Sequence, residues 1–373
     1  MRAAVFNSTK PSPPYLALTD IPSPVATPGS IVVKVLASFV ATYAEEIFNG
    51  TRTYPNLLPY VPGVGAIGVV KSAGPDVANP LLQPGSGLLV FCDCTIRARD
   101  DSYSTKLLLQ GLVAHDERAQ KVQSVFRNGG WAEEILVPAE NVYPLPPSLV
   151  ENQKLTPARL TALTTLGVPF GGLCDGDLCV GSTVVITGAT GHFGSGAVAV
   201  ALALGARKVI PLGRSPARLA KLGKAFNNTP RIAPVLLTSE PATDEKAIRA
   251  AAGEGFPIDV HFDILPPSAS PSLVLTALHT LRPGGTCILM GGVAGDVPIP
   301  YGEMIFKGIT VKGVYMCERT HFPKMLGLVE CGLLDLSMFD VKSFRLEEVE
   351  EAVQAAKERV GPFEHTAVVC GEL

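Results

Sequence analysis

The 373-residue sequence lacks the features that mark membrane, nucleic-acid-binding or disulfide-rich proteins. No apolar run approaches the roughly 20 residues that a membrane-spanning helix needs. No basic run is present and the formal net charge is −3, so we expect neither nucleic acid nor a membrane as a partner. The eight cysteines form no CxxC pair, which favours reduced thiols over a disulfide framework or a cysteine-based zinc site.

Charged residues are also scarce, at 17% of the chain, whereas apolar residues make up 47%. This balance is typical of a well-buried globular protein, and the length is sufficient for two domains with their own cores. The first residues, Met1–Phe6, run directly into a strand-like segment without the apolar core of a signal peptide. We therefore expect a cytoplasmic protein.

The segment Val184–Leu204 combines a β-branched run, glycines at three-residue intervals and an apolar periodic stretch. The glycines are Gly188, Gly191 and Gly194. The pattern predicts a strand, a tight turn and a helix, because side chains at these glycines would keep a phosphate from the backbone or the helix from the strand. The helix dipole favours an anion there, and we expect a pyrophosphate at the backbone N–H groups of Gly191, His192 and Phe193.

The pattern of short elements divides the chain into two halves. Residues 1–156 contain short apolar runs separated by proline and glycine turns, which predicts a β-rich domain. Residues 97–128 are polar and break this rhythm, so we interpret them as an insertion. Over 157–305, starting with a helix at 157–166, strand and helix patterns alternate about five times, which requires a doubly wound parallel sheet. Residues 306–373 are expected to supply its last strand and return to the first domain.

Four blocks together resemble the medium-chain dehydrogenase/reductase superfamily, and they span nearly the whole chain. Tyr60–Val70, Gly130–Glu134, Asp259–Asp263 and Leu281–Gly285 are similar to its PG-xx-GxGxV, GgxAEy, DvvxD and LrpGG blocks. The resemblance implies an α/β protein with a GroES-like catalytic domain followed by a Rossmann domain. It also implies a small-molecule substrate and a homodimer joined through the edge of the Rossmann sheet, around residues 297–311.

The zinc ligands of the metal-dependent members of this superfamily are missing. Ala41 and Thr42 occupy the positions of their Cys-His pair, and Val64 occupies the position of their ligating histidine. Zinc binds through thiolate, imidazole or carboxylate, so we expect no metal site and a closer resemblance to the zinc-free quinone oxidoreductases and enoyl reductases. Val40–Gly50 departs from the VNPxDxxxRxG pattern of that branch as well.

The end of the second Rossmann strand indicates the cofactor. NAD-selective proteins place an acid there, about 20 residues past the glycines, to bind the ribose hydroxyls. Here Gly213 leaves room, Ser215 offers a hydroxyl, and Arg214 and Arg218 bring positive charge suited to a 2′-phosphate, which predicts NADPH. The alternative is that both arginines are ordinary surface charges. The expected cofactor-binding residues, some of them from the resemblance alone, are Gly188, Thr190, Gly191, His192, Phe193, Gly213, Arg214, Ser215, Arg218, Ile264, Val293, Val314 and Met316.

Without zinc, charge that develops on a carbonyl oxygen or enolate needs a hydrogen-bond donor or a proton source. By resemblance, Tyr54 lies near the proton-donating tyrosine of some enoyl thioester reductases. Tyr43, with Thr42 beside it, lies near the Ser/Thr of the proton relay in zinc-dependent relatives. Each tyrosine has a structural alternative, a ring packed at a domain edge with its hydroxyl in water. Glu45 is expected to act only as a first-turn acid that interacts with a helix dipole.

These residues favour a zinc-free, NADPH-dependent reductase of an activated C=C or C=O bond. The alternative is a protein that keeps the fold and the cofactor but acts as a sensor or binding protein, or catalyses non-redox chemistry in a biosynthetic pathway. The departures within Val40–Gly50 leave that alternative open. The sequence names neither the substrate nor the bond that is reduced.

Overall fold

The computed structural model describes residues 1–100, 106–152 and 155–372. The chain divides into two compact units. Unit 1 contains residues 1–164, 322–360 and 364–373, and unit 2 contains residues 165–321 and 361–363. Within the described ranges, no helix combines the length and the apolar character needed to cross a membrane.

The secondary structure follows the chain as strands and short helices. The strands are β1 (Arg2–Phe6), β2 (Leu16–Asp20), β3 (Ser30–Phe39), β4 (Val64–Ala73), β5 (Leu89–Cys92), β6 (Thr95–Arg97), β7 (Lys106–Leu109), β8 (Val113–Ala114), β9 (Glu134–Pro138), β10 (Val142–Pro144), β11 (Thr183–Thr187), β12 (Lys208–Gly213), β13 (Val235–Leu236), β14 (Val260–Asp263), β15 (Thr286–Leu289), β16 (Thr310–Gly313), β17 (Asp340–Arg345) and β18 (Glu364–Val369). The helices are α1 (Ala44–Phe48), α2 (Glu117–Val125), α3 (Pro147–Asn152), α4 (Pro157–Leu160), α5 (Ala162–Asp175), α6 (His192–Ala203), α7 (Pro216–Ala225), α8 (Pro241–Ala252), α9 (Pro271–His279), α10 (Tyr301–Lys307), α11 (Phe322–Glu330) and α12 (Val349–Glu358).

Unit 1 is organised around the long strand β3. Its main sheet has the order β10-β5-β4-β3-β18-β17, and β9 also pairs with β3. The C-terminal strand β18 lies antiparallel to β3, with Ala367 opposite Phe39. Nine of the ten residues of β3 are buried, and Ile31, Val33 and Val35 of this strand belong to one apolar core cluster. This is the β-rich, GroES-like domain that the sequence predicted.

The predicted insertion at 97–128 contains a folded lobe in its described part. Strands β6, β7 and β8 form a three-stranded antiparallel sheet, and α2 covers an apolar cluster that includes Ile96, Leu108 and Ala119. Gly111 packs against the main chain of unit 1, since a Cβ atom there would lie 2.3 Å from the Gly63 carbonyl oxygen. The lobe is therefore anchored by close backbone packing at a glycine.

Unit 2 contains a six-stranded sheet with the order β13-β12-β11-β14-β15-β16, and all of its pairings are parallel. All five residues of β11 are buried, as expected for a strand covered by helices on both faces. The strand order reverses between β11 and β14, which creates a topological switch point. This arrangement confirms the predicted Rossmann domain.

The helix predicted at 157–166 was wrong in its extent. The α4 helix ends before Thr161, whose hydroxyl donates a 2.6 Å hydrogen bond to a carbonyl three residues earlier. The α5 helix then continues to Asp175 and passes through Pro169. Tertiary packing supports it there, because Gly172 brings it so close to the Phe262 ring that a Cβ atom would lie 2.6 Å away.

Candidate functional site

The candidate cofactor edge lies in unit 2, at the carboxyl ends of β11 and β14. Gly188 directly follows β11 and has a φ of +73°, a conformation that glycine adopts without strain. A Cβ atom at Gly188 would lie 2.7 Å from the carbonyl oxygen of Ile264, which directly follows β14. The structure therefore places two of the predicted cofactor residues, Gly188 and Ile264, next to each other at the switch point. Open α/β sheets bind ligands at such a point.

The turn after Gly188 leads into α6, and glycines expose the backbone at the start of this helix. Gly191 is the N-cap residue, so it contributes no capping side chain to the first turn of the helix. A Cβ atom at Gly191 would meet only the Gly188 carbonyl oxygen, at 3.4 Å, whereas one at Gly194 would lie 2.0 Å from that oxygen. Gly191 thus keeps the helix start open, and Gly194 permits close packing of the helix against the turn. An anion is favoured at such a helix start.

The side chain of His192 points into the protein. It is only 4% exposed, and its Nε2 atom is hydrogen-bonded to Thr165 Oγ1 at 2.9 Å. The neighbouring Phe193 ring packs edge-on against the imidazole, with the ring centroids 5.0 Å apart. Any contribution of these two residues to anion binding therefore comes from their backbone N–H groups.

The end of β12 presents the two predicted arginines. Gly213 is required by close packing, since a Cβ atom there would lie 2.7 Å from Thr190 Cγ2. Ser215 caps α7, and its hydroxyl oxygen accepts a 3.3 Å hydrogen bond from the Arg218 backbone N–H. Arg214 and Arg218 are both exposed, and neither has a carboxylate partner within 4.0 Å in the part of the chain that the structure describes.

A buried polar chain fixes the carboxyl ends of β11 and β14. Thr187 Oγ1 donates to Asp263 Oδ1 at 2.7 Å and lies 3.2 Å from His261 Nε2, while Cys287 Sγ lies 3.2 Å from His261 Nδ1. Burial lowers the pKa of His261 to about 3, so its imidazole is neutral. Because the Thr187 hydrogen is committed to Asp263, Nε2 donates to Thr187 and Nδ1 accepts from the thiol. The hydrogen bonds therefore all run in the same direction, from the Cys287 thiol through His261 and Thr187 to the Asp263 carboxyl group.

The remaining predicted cofactor residues follow β15 and β16. A Cβ atom at Gly291 would lie 2.5 Å from Asp263 Oδ2, so the loop that carries Val293 packs closely at the carboxyl end of β14. Val314 extends the pairing of β16, since its N–H donates to the Leu289 carbonyl at 3.0 Å. Met316 has a φ of +57°, in the left-handed region that non-glycine residues rarely occupy. Such a conformation is frequent at ligand sites, which makes this backbone a candidate contact.

The predicted catalytic residues lie in unit 1, around the short helix α1. Tyr43 is its N-cap residue, and the guanidinium of Arg52 lies 4.3 Å above the centre of the Tyr43 ring. Tyr54 lies close enough to Arg52 and to Tyr43 to influence the pKa of each. Burial, followed by the proximity of Tyr54, raises the pKa of Tyr43, so this phenol stays protonated at neutral pH. Thr42 is half-buried beside the cluster.

Two members of this cluster were missed from the sequence. The guanidinium of Arg52 lies over the Tyr43 ring, and His115, on the lobe, packs its ring edge-on against Tyr54 with centroids 6.2 Å apart. No motif marks either residue. Only the proximity of Arg52 to Tyr54 in the sequence was available as a signal, and His115 is separated from Tyr54 by the whole of strands β4 to β8.

The positions that carry zinc ligands in metal-dependent members do not fit a metal here. Ala41 is 3% exposed and Val64 is 6% exposed, and both side chains are hydrocarbon. Neither offers the thiolate, imidazole or carboxylate that zinc requires. Among the described residues, no group of three or more His, Cys, Asp or Glu side chains is arranged to bind a metal ion.

Glu45 has a larger role than a first-turn acid. Its carboxylate accepts hydrogen bonds from Tyr15 (3.2 Å), Gln354 (2.8 Å) and Lys357 (2.6 Å). The bonds from Lys357 and Gln354 contribute most to a lowered pKa of Glu45. The side chain therefore ties α1, which carries the tyrosine cluster, to α12.

Replacing Glu45 by glutamine is expected to lower the free energy of unfolding at pH 7 by about 1–3 kcal/mol, because charge-assisted hydrogen bonds are lost. The folded-state pKa lies below the ordinary value, so this stabilisation is present above the ordinary pKa and disappears as the pH falls through the folded value. Denaturant titrations of both proteins should therefore converge in acid. Glu46→Gln, on the exposed side of the same helix, is the control and should cost less than about 1 kcal/mol. A Glu45→Gln deficit that persists unchanged in acid would contradict the assignment.

Comparison with known proteins gives matches over both units. The model of the alcohol dehydrogenase GroES-like domain matches residues 27–147, and that of the zinc-binding dehydrogenase matches residues 193–330. L-threonine 3-dehydrogenase of Chromobacterium violaceum is 27% identical over 356 residues, covering 92% of this chain and 93% of that protein. The enzyme of the same name from Proteus mirabilis is 27% identical over 349 residues, covering 91% and 92%.

Solved structures show the same architecture at low sequence identity. AibC superposes with a TM-score of 0.78 at 21% identity, covering all of this chain and 96% of that one. A short chain alcohol dehydrogenase from E. coli CFT073, solved with the cofactor NADH, superposes with a TM-score of 0.77 at 17% identity, covering 99% of each chain. These likenesses show the fold. With both domain models matched in order along that fold, the chain belongs to the medium-chain dehydrogenase/reductase superfamily of oxidoreductases.

Proposed function

We propose that the protein is a zinc-independent, NADPH-dependent reductase that acts on an activated C=C or C=O bond of a small organic molecule. The observation that carries the proposal is the end of β12, where two exposed guanidinium groups follow Gly213 and no carboxylate is present in the turn. A free ribose would have no acid to bind there, whereas a 2′-phosphate would meet two positive charges. Superfamily membership supports the oxidoreductase class.

In this proposal the chain holds the cofactor mainly through its backbone. The N–H groups of Gly191, His192 and Phe193 bind the pyrophosphate, and the backbone at Val293 and from Val314 to Met316 binds the nicotinamide carboxamide. When bound, NADPH supplies a hydride. The remaining task for the protein is to deliver a proton or a hydrogen bond to the substrate atom that becomes negatively charged.

Tyr54 is the proposed proton donor, and Tyr43 and Thr42 are the further candidates. Tyr43 stays protonated because its pKa is raised, so it is in the form that donates. No metal assists in this proposal, because the buried Ala41 and Val64 offer no ligand atoms. The proposed chemistry therefore differs from that of zinc-binding dehydrogenases, although the family model of that name matches residues 193–330.

A turnover assay tests the proposed function. Chelator-treated protein is mixed with NADPH and a panel of enones, quinones, aldehydes and ketones, and L-threonine with NAD⁺ or NADP⁺ is included because of the relatives' name. We expect oxidation of NADPH by at least one acceptor. We also expect metal analysis of the purified protein, before chelator treatment, to find no stoichiometric zinc. NADPH binding without turnover of any acceptor would favour the sensor or non-redox alternative. A full equivalent of zinc whose removal abolishes activity would contradict zinc independence. Product analysis with deuterium-labelled NADPH then distinguishes C=C from C=O reduction.

We also propose that the protein forms a homodimer through the edge of the unit 2 sheet. In the described part of the chain β16 pairs only with β15, so its outer edge has no strand partner. The preceding helix α10 has no buried residue, and it exposes Tyr301 (80%), Ile305 (59%) and Phe306 (90%). Large apolar side chains beside an open strand edge favour pairing with a second copy. The cytoplasmic location stays a prediction.

Replacing Phe306 by aspartate is expected to shift the protein from dimer to monomer, because the charge would be buried in the proposed interface. Light scattering after size-exclusion chromatography measures the mass, and circular dichroism checks that the fold is kept. Phe256→Asp serves as the control, since Phe256 is 54% exposed in unit 2 but lies in the loop after α8. A wild-type protein that is monomeric at micromolar concentration would contradict the proposal.

A further inference from the structure

Arg52 is held in one position by contacts with α1. Its Nε and Nη2 atoms both lie 2.9 Å from Glu46 Oε2, and its backbone N–H donates to the Glu46 carbonyl at 2.8 Å. The Thr51 hydroxyl donates to the same carbonyl at 3.2 Å. The loop after α1 is therefore folded back on the helix, which orients the guanidinium in advance of any ligand and lowers the entropy cost of binding one.

The ring of Tyr43 covers one face of this guanidinium. The guanidinium carbon lies 4.3 Å from the ring centroid, within the range of a cation–π interaction. Only 25% of the Arg52 side chain is exposed, whereas the Glu46 side chain is 50% exposed. Arg52 is thus a partly desolvated cation, and its charge interacts more strongly with a neighbouring anion than it would in water.

The contact with Glu46 uses only one edge of the guanidinium. The planar group carries donors on Nε and on both Nη atoms, and Glu46 Oε2 accepts from Nε and Nη2. Among the described residues, no second carboxylate lies within 4.0 Å of Arg52, so the edge formed by the two Nη atoms has no acidic partner there. Two parallel N–H donors of this kind match the two oxygens of a carboxylate.

We propose that Arg52 determines specificity by binding a carboxylate of the substrate, an inference that rests on the proposed function. The substrate class is then a small acid that also carries the reducible C=C or C=O bond, such as an oxo acid or an enone acid. The carboxylate accepts two N–H bonds from the Nη edge of Arg52 beside the Tyr43 ring, and no covalent bond is made or broken in this contact. A monoanion suits the site, because Glu46 already offsets part of the positive charge and would repel a dianion.

The purely structural alternative is that Arg52 only ties the loop to α1 through Glu46. Three variants separate the two roles. Arg52→Met removes the cation and keeps the aliphatic stem, Arg52→Lys keeps the charge without the planar fork, and Glu46→Gln leaves the guanidinium without its acidic partner. A loop anchor would be weakened in Arg52→Met and in Glu46→Gln alike. A carboxylate site would be lost in Arg52→Met and strengthened in Glu46→Gln, so the glutamine variant distinguishes the roles by the sign of its effect.

The first measurement does not depend on turnover. Isothermal titration calorimetry without a reduced cofactor compares acetylacrylate, laevulinate and benzoylformate with their methyl esters, which differ from them in charge at one group. We expect wild type to bind at least one acid about ten-fold or more tightly than its ester, because a charge-assisted bidentate contact is lost in the ester. Arg52→Met should reduce this preference to about two-fold or less, Arg52→Lys should keep part of it, and Glu46→Gln should increase it.

Three results of the binding measurement would overturn the inference. They are equal affinity of wild type for every acid and its ester, no binding of any of the three acids, and the same loss of preference in Glu46→Gln as in Arg52→Met. Circular dichroism checks that each variant is folded. If Arg52→Met does not fold, the direction of the change in Glu46→Gln, which keeps the guanidinium, still decides between the two roles.

The second measurement is the ratio of kcat/KM for an acid to kcat/KM for its ester, with NADPH as the reductant. We expect this ratio to fall by about ten-fold or more in Arg52→Met. Equal losses for acid and ester would leave the ratio unchanged and would overturn the inference. If no acid or ester is reduced but the preference in binding is present and depends on Arg52, the proposed function fails while the carboxylate site stands. If wild type reduces esters as well as acids, the proposed function stands and the inference fails.

Discussion

Replacing Arg214 and Arg218 together by alanine is expected to weaken NADPH binding by about 100-fold and to change NADH binding by less than about three-fold. Each charge-assisted pair with a phosphate contributes about 1.5–3 kcal/mol, which is roughly ten-fold or more in affinity. Both guanidinium groups are exposed at the end of β12 and have no carboxylate partner within 4.0 Å among the described residues, so a 2′-phosphate would not have to displace one. NADH lacks that phosphate, so its affinity should depend little on the two arginines.

Fluorescence titration of the two reduced cofactors measures both affinities without any knowledge of the substrate. The single variants should each show about a ten-fold loss for NADPH. Lys224→Ala is the matched control, because it removes one positive charge from the last turn of the same helix, α7, far from its N-terminus. Equal losses for NADPH and NADH would remove the assignment of the phosphate to these arginines, and so would an unchanged NADPH affinity.

Replacing Gly194 by alanine is expected to destabilise unit 2 by about 3 kcal/mol and to abolish tight cofactor binding. The new Cβ atom would lie 2.0 Å from the Gly188 carbonyl oxygen and 2.7 Å from Ala189 Cα, so the backbone of α6 must move away from the turn. That movement would distort the helix start, where the pyrophosphate is proposed to bind.

Gly196→Ala provides a control within the same helix. A Cβ atom at Gly196 would meet Leu166 Cδ2 at 3.4 Å, which is ordinary van der Waals contact. Because alanine has the higher helix propensity, this variant should be about 0.5–1 kcal/mol more stable than wild type and should bind NADPH normally. Denaturant titration and NADPH fluorescence measure both effects. Equal behaviour of the two variants would show that close packing at Gly194 is not what shapes the turn.

Much of unit 2 could be predicted because its determinants are local in sequence. The glycine spacing from Gly188 to Gly194 and the regular alternation of strand and helix patterns identified a doubly wound sheet, and a right-handed crossover leaves little freedom in its assembly. The residues on which the NADPH prediction depends, Gly213 to Arg218, are likewise consecutive, and that prediction awaits the binding experiment. The helix ends around residues 157–166 were predicted less well, because α5 continues through Pro169 with the support of tertiary packing.

The contacts in unit 1 could not be predicted, because they join residues that are far apart in the chain. Glu45 resembled a first-turn acid, and only the fold brings Gln354 to it across 309 positions. His115 belongs to a lobe whose sequence indicated no more than an insertion, yet the lobe packs against Tyr54. Periodicity specifies which face of an element is buried, but it does not specify which distant polar side chain meets it.

The sequence by itself determined the superfamily, the glycine turn between β11 and α6, the absence of zinc ligands at Ala41 and Val64, and the positive charge at Arg214 and Arg218. Each of these is a property of residue identity at short spacing, which backbone geometry and ligand chemistry constrain directly. Only the tertiary structure decided that His192 is a core side chain and that Arg52 lies over the Tyr43 ring. Those outcomes depend on the directions of side chains and on neighbours from other elements, and packing of the complete chain sets both.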